Sequence, residues 1–297
     1  MPDSLSSADV RPARDLLAAD TAMGPVTLRV ADLDGMIRYY TEGVPLRVLT
    51  AVGPTAVLGR GTTPVVVLEH APELRHASPR DAGLFHTAIL FESEPALAAA
   101  VASVARHAPG TFTGSADHLV SKAFYFTDPE GNGVELYWDR DRTAWSWTHG
   151  QVEMDVIRLD PQGYLSEHLT EAGAADPIVG GASVGHVHLS VGDVETARRF
   201  YVNQLGFETT LDWNGALFVS AGGYHHHMAM NVWNSAGAGR RGRTLGLGTV
   251  DIALPTPDDI GATTERLRHH GVAIRDDGAT VSFEDPWANL VRLSTAA

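Results

Sequence analysis

Glu135 is the residue whose type and position most clearly suggest chemistry. It lies between Val134 and Leu136 in FYFTDPEGNGVELYW, residues 124–138, which is typical of two β-strands joined by a turn rich in Pro, Gly and Asn. A carboxylate inside an apolar strand is costly to bury unless it is paired, hydrogen-bonded or bound to a metal ion. The chain has no cysteine and 14 histidines, so a metal site here would be built from His, Asp and Glu.

The composition narrows the class of protein. With 44% hydrophobic and 20% charged residues, the 297-residue chain is typical of a folded globular protein. A formal net charge of −14 argues against nucleic-acid and anionic-membrane partners, because both require clustered cations. No apolar run approaches the roughly 20 residues that span a bilayer, and the N-terminus lacks the pattern of a signal peptide. The sequence therefore predicts a cytoplasmic protein with no nucleic-acid or membrane partner.

Two pairs of segments repeat along the chain. Residues 187–201 match residues 26–40 at a constant offset of 161, with identical Val, Leu, Val, Asp and Tyr positions. Residues 283–289 match residues 126–132 at an offset of 157, with identical Phe, Asp, Pro and Asn positions. Periodicity and helix-start signals give each unit the order strand, helix, three strands. Internal repetition therefore predicts four βαβββ modules.

These repeats, with DPEGNGVEL and GHVHLSVGDVETARRFYVNQLGF, resemble the vicinal oxygen chelate superfamily, which includes glyoxalase I, bleomycin-resistance proteins and type I extradiol dioxygenases. GLFHTAIL, DHLVSKAFYFTDPEGNGVELYWDR and ALFVSAGGYHHHMAMNVW are similar to bacterial catechol-2,3-dioxygenase-like proteins. The resemblance implies an α+β fold in which four βαβββ modules form two barrel-like cups. The expected divisions are a tail at 1–23, an N-terminal domain at 24–140 (modules 24–72 and 82–140), a linker at 141–183, and a C-terminal domain at 184–297 (modules 184–234 and 246–297).

In that superfamily the metal ligands lie on the first and last strands of each module. The matching positions imply His86 and Glu135 in the second module and His188 in the third, with His227 beside them. In the fourth module Arg292 stands where the second has Glu135, and arginine has no lone pair for a metal. We expect Arg292 to form an ion pair with Asp251 in a cup without metal.

Strand alternation indicates which side chains share a face. In HVHLSV it places His186 and His188 together on the cup side. In HHHMAM it groups His226 with the apolar methionines, which leaves His225 and His227 facing the cup.

The usual extradiol arrangement pairs consecutive modules, and here it would leave neither cup with a full ligand set. Pairing the second module with the third instead gathers His86, Glu135 and His188. Two histidines and one carboxylate are diagnostic of non-heme Fe(II) oxygenases, because such a set leaves coordination positions open. We therefore favour this pairing.

The resulting hypothesis is an Fe(II) extradiol dioxygenase that acts on a small aromatic diol and O₂. His227 and His118 are the candidate bases, Tyr137 is a candidate hydrogen-bond donor, and His225 and His186 are candidate substrate contacts. One alternative is a glyoxalase-type lyase or isomerase with Mn, Ni or Zn, in which His227 is a fourth ligand. Another is a non-catalytic protein that binds a small molecule such as an antibiotic. Even-numbered homo-oligomers are common for such folds, and the sequence leaves the oligomeric state open.

Overall fold

The first two modules follow each other directly in the computed structural model, which describes residues 15–296. The first contains β1 (Ala22–Val30), α1 (Leu33–Arg38), a π-helical turn (Tyr39–Gly43), β2 (Arg47–Val52), β3 (Thr55–Arg60) and β4 (Thr63–His70). The second contains β5 (Gly83–Phe91), α2 (Glu94–His107), a 3₁₀ turn (Pro109–Thr111), β6 (Phe112–Asp117), β7 (Ser121–Thr127) and β8 (Gly133–Asp139).

A connecting segment and two further modules complete the chain. The segment contains a 3₁₀ turn (Arg142–Ala144), β9 (Trp147–Thr148), β10 (Gln151–Val152), β11 (Ile157–Arg158), α3 (Pro161–His168) and α4 (Glu171–Ala175). The third module contains β12 (Ala182–Ser190), α5 (Val194–Ala197), a π-helix (Arg198–Leu205), β13 (Glu208–Trp213), β14 (Ala216–Ser220) and β15 (Met228–Asn231). The fourth contains β16 (Gly246–Leu254), α6 (Pro257–His269), β17 (Ile274–Asp276), β18 (Val281–Glu284) and β19 (Leu290–Thr295). In the described part of the chain, no helix combines the length and the apolar character that a membrane crossing requires.

Each module begins its helix in the same way. The first strand is followed by a capping residue whose side-chain oxygen accepts a hydrogen bond from the backbone N–H three residues later. Such a cap satisfies a backbone donor that the helix itself leaves free. The four caps are Asp32, Ser93, Asp193 and Thr256. Since they occupy the same place in every module, positions counted back from them are structurally equivalent.

The strands form two large sheets. One has the order β17-β18-β19-β16-β1-β4-β3-β2 and the other β11-β6-β7-β8-β5-β12-β15-β14-β13. The first and fourth modules therefore share one sheet, through antiparallel pairing of β1 with β16, and the second and third share the other, through antiparallel β5 and β12. This confirms both the α+β class and the favoured pairing of the second module with the third. One buried apolar core contains residues from all four modules.

Two tyrosines connect the modules that the sheets do not pair. The Tyr40 hydroxyl in the first module donates to Asp128 in the second at 3.1 Å. The Tyr201 hydroxyl in the third module donates to Asp285 in the fourth at 2.9 Å. Both carboxylates are buried in turns that they also close by accepting backbone N–H bonds, and burial raises the pKa of Asp128 to about 6. The two sheets are thereby connected by two equivalent tyrosine–carboxylate hydrogen bonds.

Tyr40→Phe and Tyr201→Phe should each lower the free energy of unfolding by about 1–2 kcal/mol, because each removes a hydrogen bond to a buried carboxylate. Tyr39→Phe is the control. The buried Tyr39 hydroxyl approaches Thr111 without good hydrogen-bond geometry, so its removal should change stability by less than about 0.5 kcal/mol. Urea denaturation followed by circular dichroism would measure the three changes. An equal loss in all three variants would contradict the assigned role of the two hydroxyl–carboxylate bonds.

Candidate active site

The inner face of the second sheet surrounds a cavity of about 340 Å³. Glu135 on β8 lines this cavity together with histidines from β5, β12 and the loops. These histidines are His86, His118, His186, His188 and His226. The cavity therefore combines one buried carboxylate with a dense group of imidazoles.

Three neighbouring strands bring the carboxylate and one imidazole together by register. Ala88 on β5 lies opposite Glu135 on β8 and opposite His186 on β12. Because the side chain between them is only a methyl group, the carboxylate and the His186 ring can meet across it. His86 lies two residues from Ala88 on the same strand, and hence on the same face.

His86, Glu135 and His186 form a buried cluster. Oε2 of Glu135 lies 3.0 Å from Nε2 of His86 and 3.1 Å from Nε2 of His186. One potential ligand atom from each residue lies within 4.8 Å of the other two. Nε2 of His86 and Nδ1 of His186 make no hydrogen bond of good geometry with any residue in the range 15–296. An orphaned buried nitrogen is costly without another partner, and a metal ion would provide one for Nε2 of His86, which faces Glu135.

The ionisation states of this cluster suit a metal. Burial alone would raise the pKa of Glu135, but the adjacent His186 and His86 rings hold that pKa well below its usual range. Burial lowers the pKa of His186 to about 4 despite the neighbouring carboxylate. At neutral pH the site therefore offers an anionic carboxylate and a neutral His186 imidazole, which are the forms that bind metal ions.

His188 lines the cavity but is not one of the three converging residues. On β12, His186 lies opposite Ala88, the partner of Glu135, whereas His188 lies opposite His86. Nε2 of His188 is 3.0 Å from Nδ2 of Asn231. The predicted trio of His86, Glu135 and His188 is thus brought into one cavity, but His186 takes the place expected for His188. Alternation along a strand determines the face of the sheet on which a side chain lies. The pairing register between strands determines which side chains of the neighbouring strands lie beside it.

The expected orientation of the three consecutive histidines is wrong. His226 lines the cavity, while His225 and His227 do not. The strand β15 begins only at Met228, and residues 221–227 form turns and bends, so the alternation does not extend back to the histidines. His227 accepts a hydrogen bond from the N–H of Ala221, and burial lowers its pKa to about 3, which makes it a neutral packing residue.

His225 is fully buried behind the cavity, where it connects a carboxylate to His226. Its Nε2 lies 2.8 Å from Oδ1 of Asp139 and its Nδ1 lies 2.8 Å from Nδ1 of His226. The other oxygen of Asp139 accepts a hydrogen bond from Tyr224, whose hydroxyl is also 2.8 Å from that of Tyr137. Tyr137, the expected donor, therefore belongs to this buried network and does not line the cavity.

His118 reaches the cavity from the loop between β6 and β7, where its Nε2 is 2.6 Å from the hydroxyl of Tyr125. Tyr125 is directly opposite Glu135 in the β7–β8 hairpin and also lines the cavity. Sequence reasoning did not single out Tyr125 or His226, both of which line the cavity. The hairpin register was the signal for Tyr125, since opposite residues of an antiparallel pair share a face.

The predicted ion pair between Asp251 and Arg292 is confirmed. Nε and Nη2 of Arg292 bind the two carboxylate oxygens at 2.6 and 2.5 Å, in a two-point contact between neighbouring strands of the first sheet. The positions equivalent to His86 and His186, counted seven residues back from the helix caps, are Pro25 and Thr249. At these two positions the first sheet therefore has no imidazole.

The cup formed by the second and third modules has an approximate two-fold symmetry with one informative exception. His86 and His186 each lie seven residues before a helix cap, and Ala88 and His188 each lie five before it. Glu135 pairs with Ala88, and the residue that pairs in the same parallel sense with His188 is Ala229. A methyl group thus occupies the position that would complete a symmetric four-ligand set.

Comparison with known proteins agrees with this architecture. The sequence matches the model of the Glyoxalase/Bleomycin resistance protein/Dioxygenase superfamily over residues 22–136 and 183–293. The chain belongs to this superfamily. A relative within it, catechol-2,3-dioxygenase from Bacillus subtilis (strain 168), is 33% identical over 273 residues, which covers 90% of this chain and 94% of the relative.

Two solved structures share the superfamily fold. A putative dioxygenase from Bacillus subtilis subsp. subtilis str. 168 has a TM-score of 0.61 at 15% identity, covering 92% of this chain and 85% of its own. Glyoxalase I from Zea mays has a TM-score of 0.57 at 19% identity, covering 93% of this chain and 92% of its own. At these identities the likeness concerns the fold alone.

For this member of the superfamily, we expect the metal-free protein to be stabilised when Fe(II) is added anaerobically. A ligand at 100 times its Kd that binds only the folded state adds about 2.7 kcal/mol. His86→Ala, Glu135→Ala and His186→Ala should each abolish this gain, because each removes one of three converging donors. Thermal unfolding with and without Fe(II) would measure it.

His188→Ala is the matched control for that experiment. It removes a cavity histidine that does not converge with Glu135, so most of the stabilisation by Fe(II) should persist. The opposite pattern, in which His188→Ala abolishes the gain and His186→Ala retains it, would contradict the assignment of His186, rather than His188, to the metal-binding cluster.

Proposed function

We propose that the protein is an extradiol dioxygenase that cleaves the ring of catechol or a related dihydroxyaromatic beside the diol, using Fe(II) held by His86, Glu135 and His186. The observation that carries the proposal is the three-donor set with Ala229 in the fourth symmetric position. The name of the 33% identical relative supports the same reaction class.

The donor set fits Fe(II) chemically. Two neutral imidazoles and one carboxylate are the ligands of non-heme Fe(II) oxygenases, and such an ion supplies a redox-active centre with coordination positions for a diol and for dioxygen. A fourth protein ligand would leave fewer positions for these reactants. His227, the candidate for that role in a lyase or isomerase, is buried away from the cavity.

His118 and Tyr125 form a fixed hydrogen-bonding pair at the cavity wall. Nδ1 of His118 lies 2.8 Å from the carbonyl oxygen of Asp155, which can only accept, so this nitrogen carries the proton in the neutral ring. Nε2 then accepts from the Tyr125 hydroxyl. Burial and the nearby Glu135 raise the pKa of Tyr125 well above its usual range, so the hydroxyl stays protonated and orients oxygen atoms of the bound diol.

His226 is the proposed acceptor of a diol proton. Because Asp139 as a carboxylate can only accept, it takes the Nε2–H of His225. Nδ1 of His225 then accepts the Nδ1–H of His226, which leaves the lone pair of His226 on Nε2. Burial lowers the pKa of His226 well below its usual range, so the ring is neutral at physiological pH and its Nε2 lone pair can accept a hydrogen bond from a diol hydroxyl. Asp139 acts through His225 as a positioning residue.

The decisive experiment is anaerobic loading of the protein with Fe(II), followed by catechol and O₂. We expect O₂ uptake, a yellow ring-fission product, and incorporation of both oxygen atoms by mass spectrometry. The Glu135→Ala variant should be inactive, whereas His269→Ala, which changes an exposed histidine on α6, should match the unaltered protein. Absence of O₂ uptake with several catechols would exclude the reaction, and recovery of unchanged catechol would indicate a binding protein instead.

The relay, by which we mean the hydrogen-bonded chain from Asp139 through His225 to His226, predicts a large loss of kcat when His226 is replaced and a smaller loss when Asp139 is replaced. His226→Ala should lower kcat by about 100-fold or more, since general base catalysis typically contributes at least that much. Asp139→Asn keeps the shape of the side chain but no longer requires His225 to donate from Nε2. We expect kcat to fall by roughly 10- to 100-fold, the usual effect of removing a residue that orients a functional histidine.

The measurements on these variants must distinguish a changed orientation of the histidines from a loss of protein stability. Metal content and KM for catechol should stay within a few-fold of the unaltered protein, while kcat falls. The dependence of kcat on pH should also differ from that of the unaltered protein. A variant that loses metal or unfolds at the assay temperature would not test the relay, so melting temperature and iron content are measured in parallel. Unchanged kcat in folded, iron-loaded Asp139→Asn would contradict the positioning role.

A further inference from the structure

We infer that the site selects neutral diols whose ring carries a short apolar substituent, and that residues of the segment between the second and third modules take part in this selection. The inference rests on the proposed function and names its substrate class.

The described lining of the cavity offers no arginine or lysine to an anionic substituent. Among the described residues, those that line it include no lysine or arginine, and its one carboxylate is Glu135. Two nearby cations, Lys122 on β7 and Arg140 just after β8, are already paired, with Glu94 at 2.6 Å and with Asp117 at 2.7 Å. A carboxylate attached to the diol ring would therefore meet no arginine or lysine along the cavity wall, and whatever part of its hydration it loses there would be lost without an ion-pair partner.

The mouth of the cavity is instead apolar and aromatic. Three of its lining side chains remain unusually exposed for their type: Val156 at 59%, Trp233 at 50% and Trp213 at 40%. Exposed apolar groups that gather at one place mark a binding surface more often than isolated ones do. Trp233 packs on both His188 and Phe85, with ring centroids 5.5 and 5.4 Å apart. Aromatic surface thus continues from the histidines to the solvent.

The connecting segment forms one wall of this mouth. Met154 and Val156 both line the cavity, and the residue between them, Asp155, accepts the hydrogen bond of His118 Nδ1 through its backbone carbonyl. Directly after this, β11 pairs with β6 at the edge of the second sheet. The wall is therefore attached to the sheet and to a cavity histidine, which holds its apolar side chains in place.

The volume suggests the size of the substrate. At about 340 Å³ the cavity is near the lower end of the usual range of roughly 300–1,000 Å³ for small-molecule sites. A single ring with a substituent of a few carbons fits this space. With the diol held near His86 and Glu135, the substituent would extend toward the tryptophans.

The test compares 4-ethylcatechol with 3,4-dihydroxyphenylacetate, two diols of similar size that differ in charge. With the Fe(II)-loaded protein we expect kcat/KM for 4-ethylcatechol to exceed that for the acid by at least about 10-fold. Equal values, or a preference for the acid, would overturn the inference while leaving ring cleavage itself established.

A charge introduced at the wall should shift this preference. Val156→Arg places a cation at the exposed mouth and should raise the relative kcat/KM for 3,4-dihydroxyphenylacetate by roughly 1.5- to 5-fold, the range expected for an exposed ion pair. Ile157→Arg is the matched control, since Ile157 is the next residue, is 45% exposed and does not line the cavity. An equal shift in both variants would point to long-range charge and contradict the role of the wall.

Anaerobic binding separates this inference from the reaction. Calorimetric titration of the Fe(II)-loaded protein with the same two diols measures their Kd ratio without turnover. If ring cleavage fails but 4-ethylcatechol binds more tightly, the proposed function is wrong and the selectivity stands. If the acid binds as tightly or more tightly, the selectivity is wrong whatever the reaction.

Discussion

The contact of the buried Glu135 carboxylate with two imidazoles is the interaction on which the site depends. Glu135 is only 2% exposed in the middle of a sheet, so its carboxylate must be compensated, because desolvation of a charge is expensive. His86 and His186 supply the compensation at 3.0 and 3.1 Å, and the methyl side chain of Ala88 leaves the space in which they meet. This requires β8, β5 and β12 to be adjacent, and therefore requires the second and third modules to share a sheet.

The two sheets stabilise a buried acidic side chain in different ways. At the place of Glu135 the first sheet has Arg292, which binds Asp251 through two hydrogen bonds. Both cups bury an acidic group, but one neutralises it with a guanidinium and the other surrounds it with imidazoles whose lone pairs can bind a metal. The sheets are otherwise built alike and are tied together by the Tyr40–Asp128 and Tyr201–Asp285 hydrogen bonds. The two sheets thus share one frame, and the converging carboxylate and imidazoles that could hold a metal lie in the cup of the second and third modules.

Around the converging residues, two hydrogen-bonded arrays determine which atoms face the cavity. The carbonyl of Asp155 orients His118 and through it Tyr125, while Asp139 orients His225 and through it His226. Each array ends in a group that can only accept, so the tautomers follow from the geometry. The first array also anchors the connecting segment, which links the orientation of a cavity histidine to the shape of the substrate entrance.

The sequence by itself determined the four modules, the unusual burial of Glu135, the presence of His86 beside it and the Asp251–Arg292 ion pair. These depend on local signals, namely repeats, helix caps, hairpin turns and alternation. The proximity of His186, rather than His188, to Glu135 was decided by the tertiary structure, because alternation places both histidines on one face and the pairing of β12 with β5 sets His186 opposite Ala88. The bend before Met228 likewise turned His226, rather than its two neighbours, into the cavity. Tyr125 and the wall at Met154 and Val156 became visible only when distant segments were brought together, since packing across strands is not encoded in the spacing along any one of them.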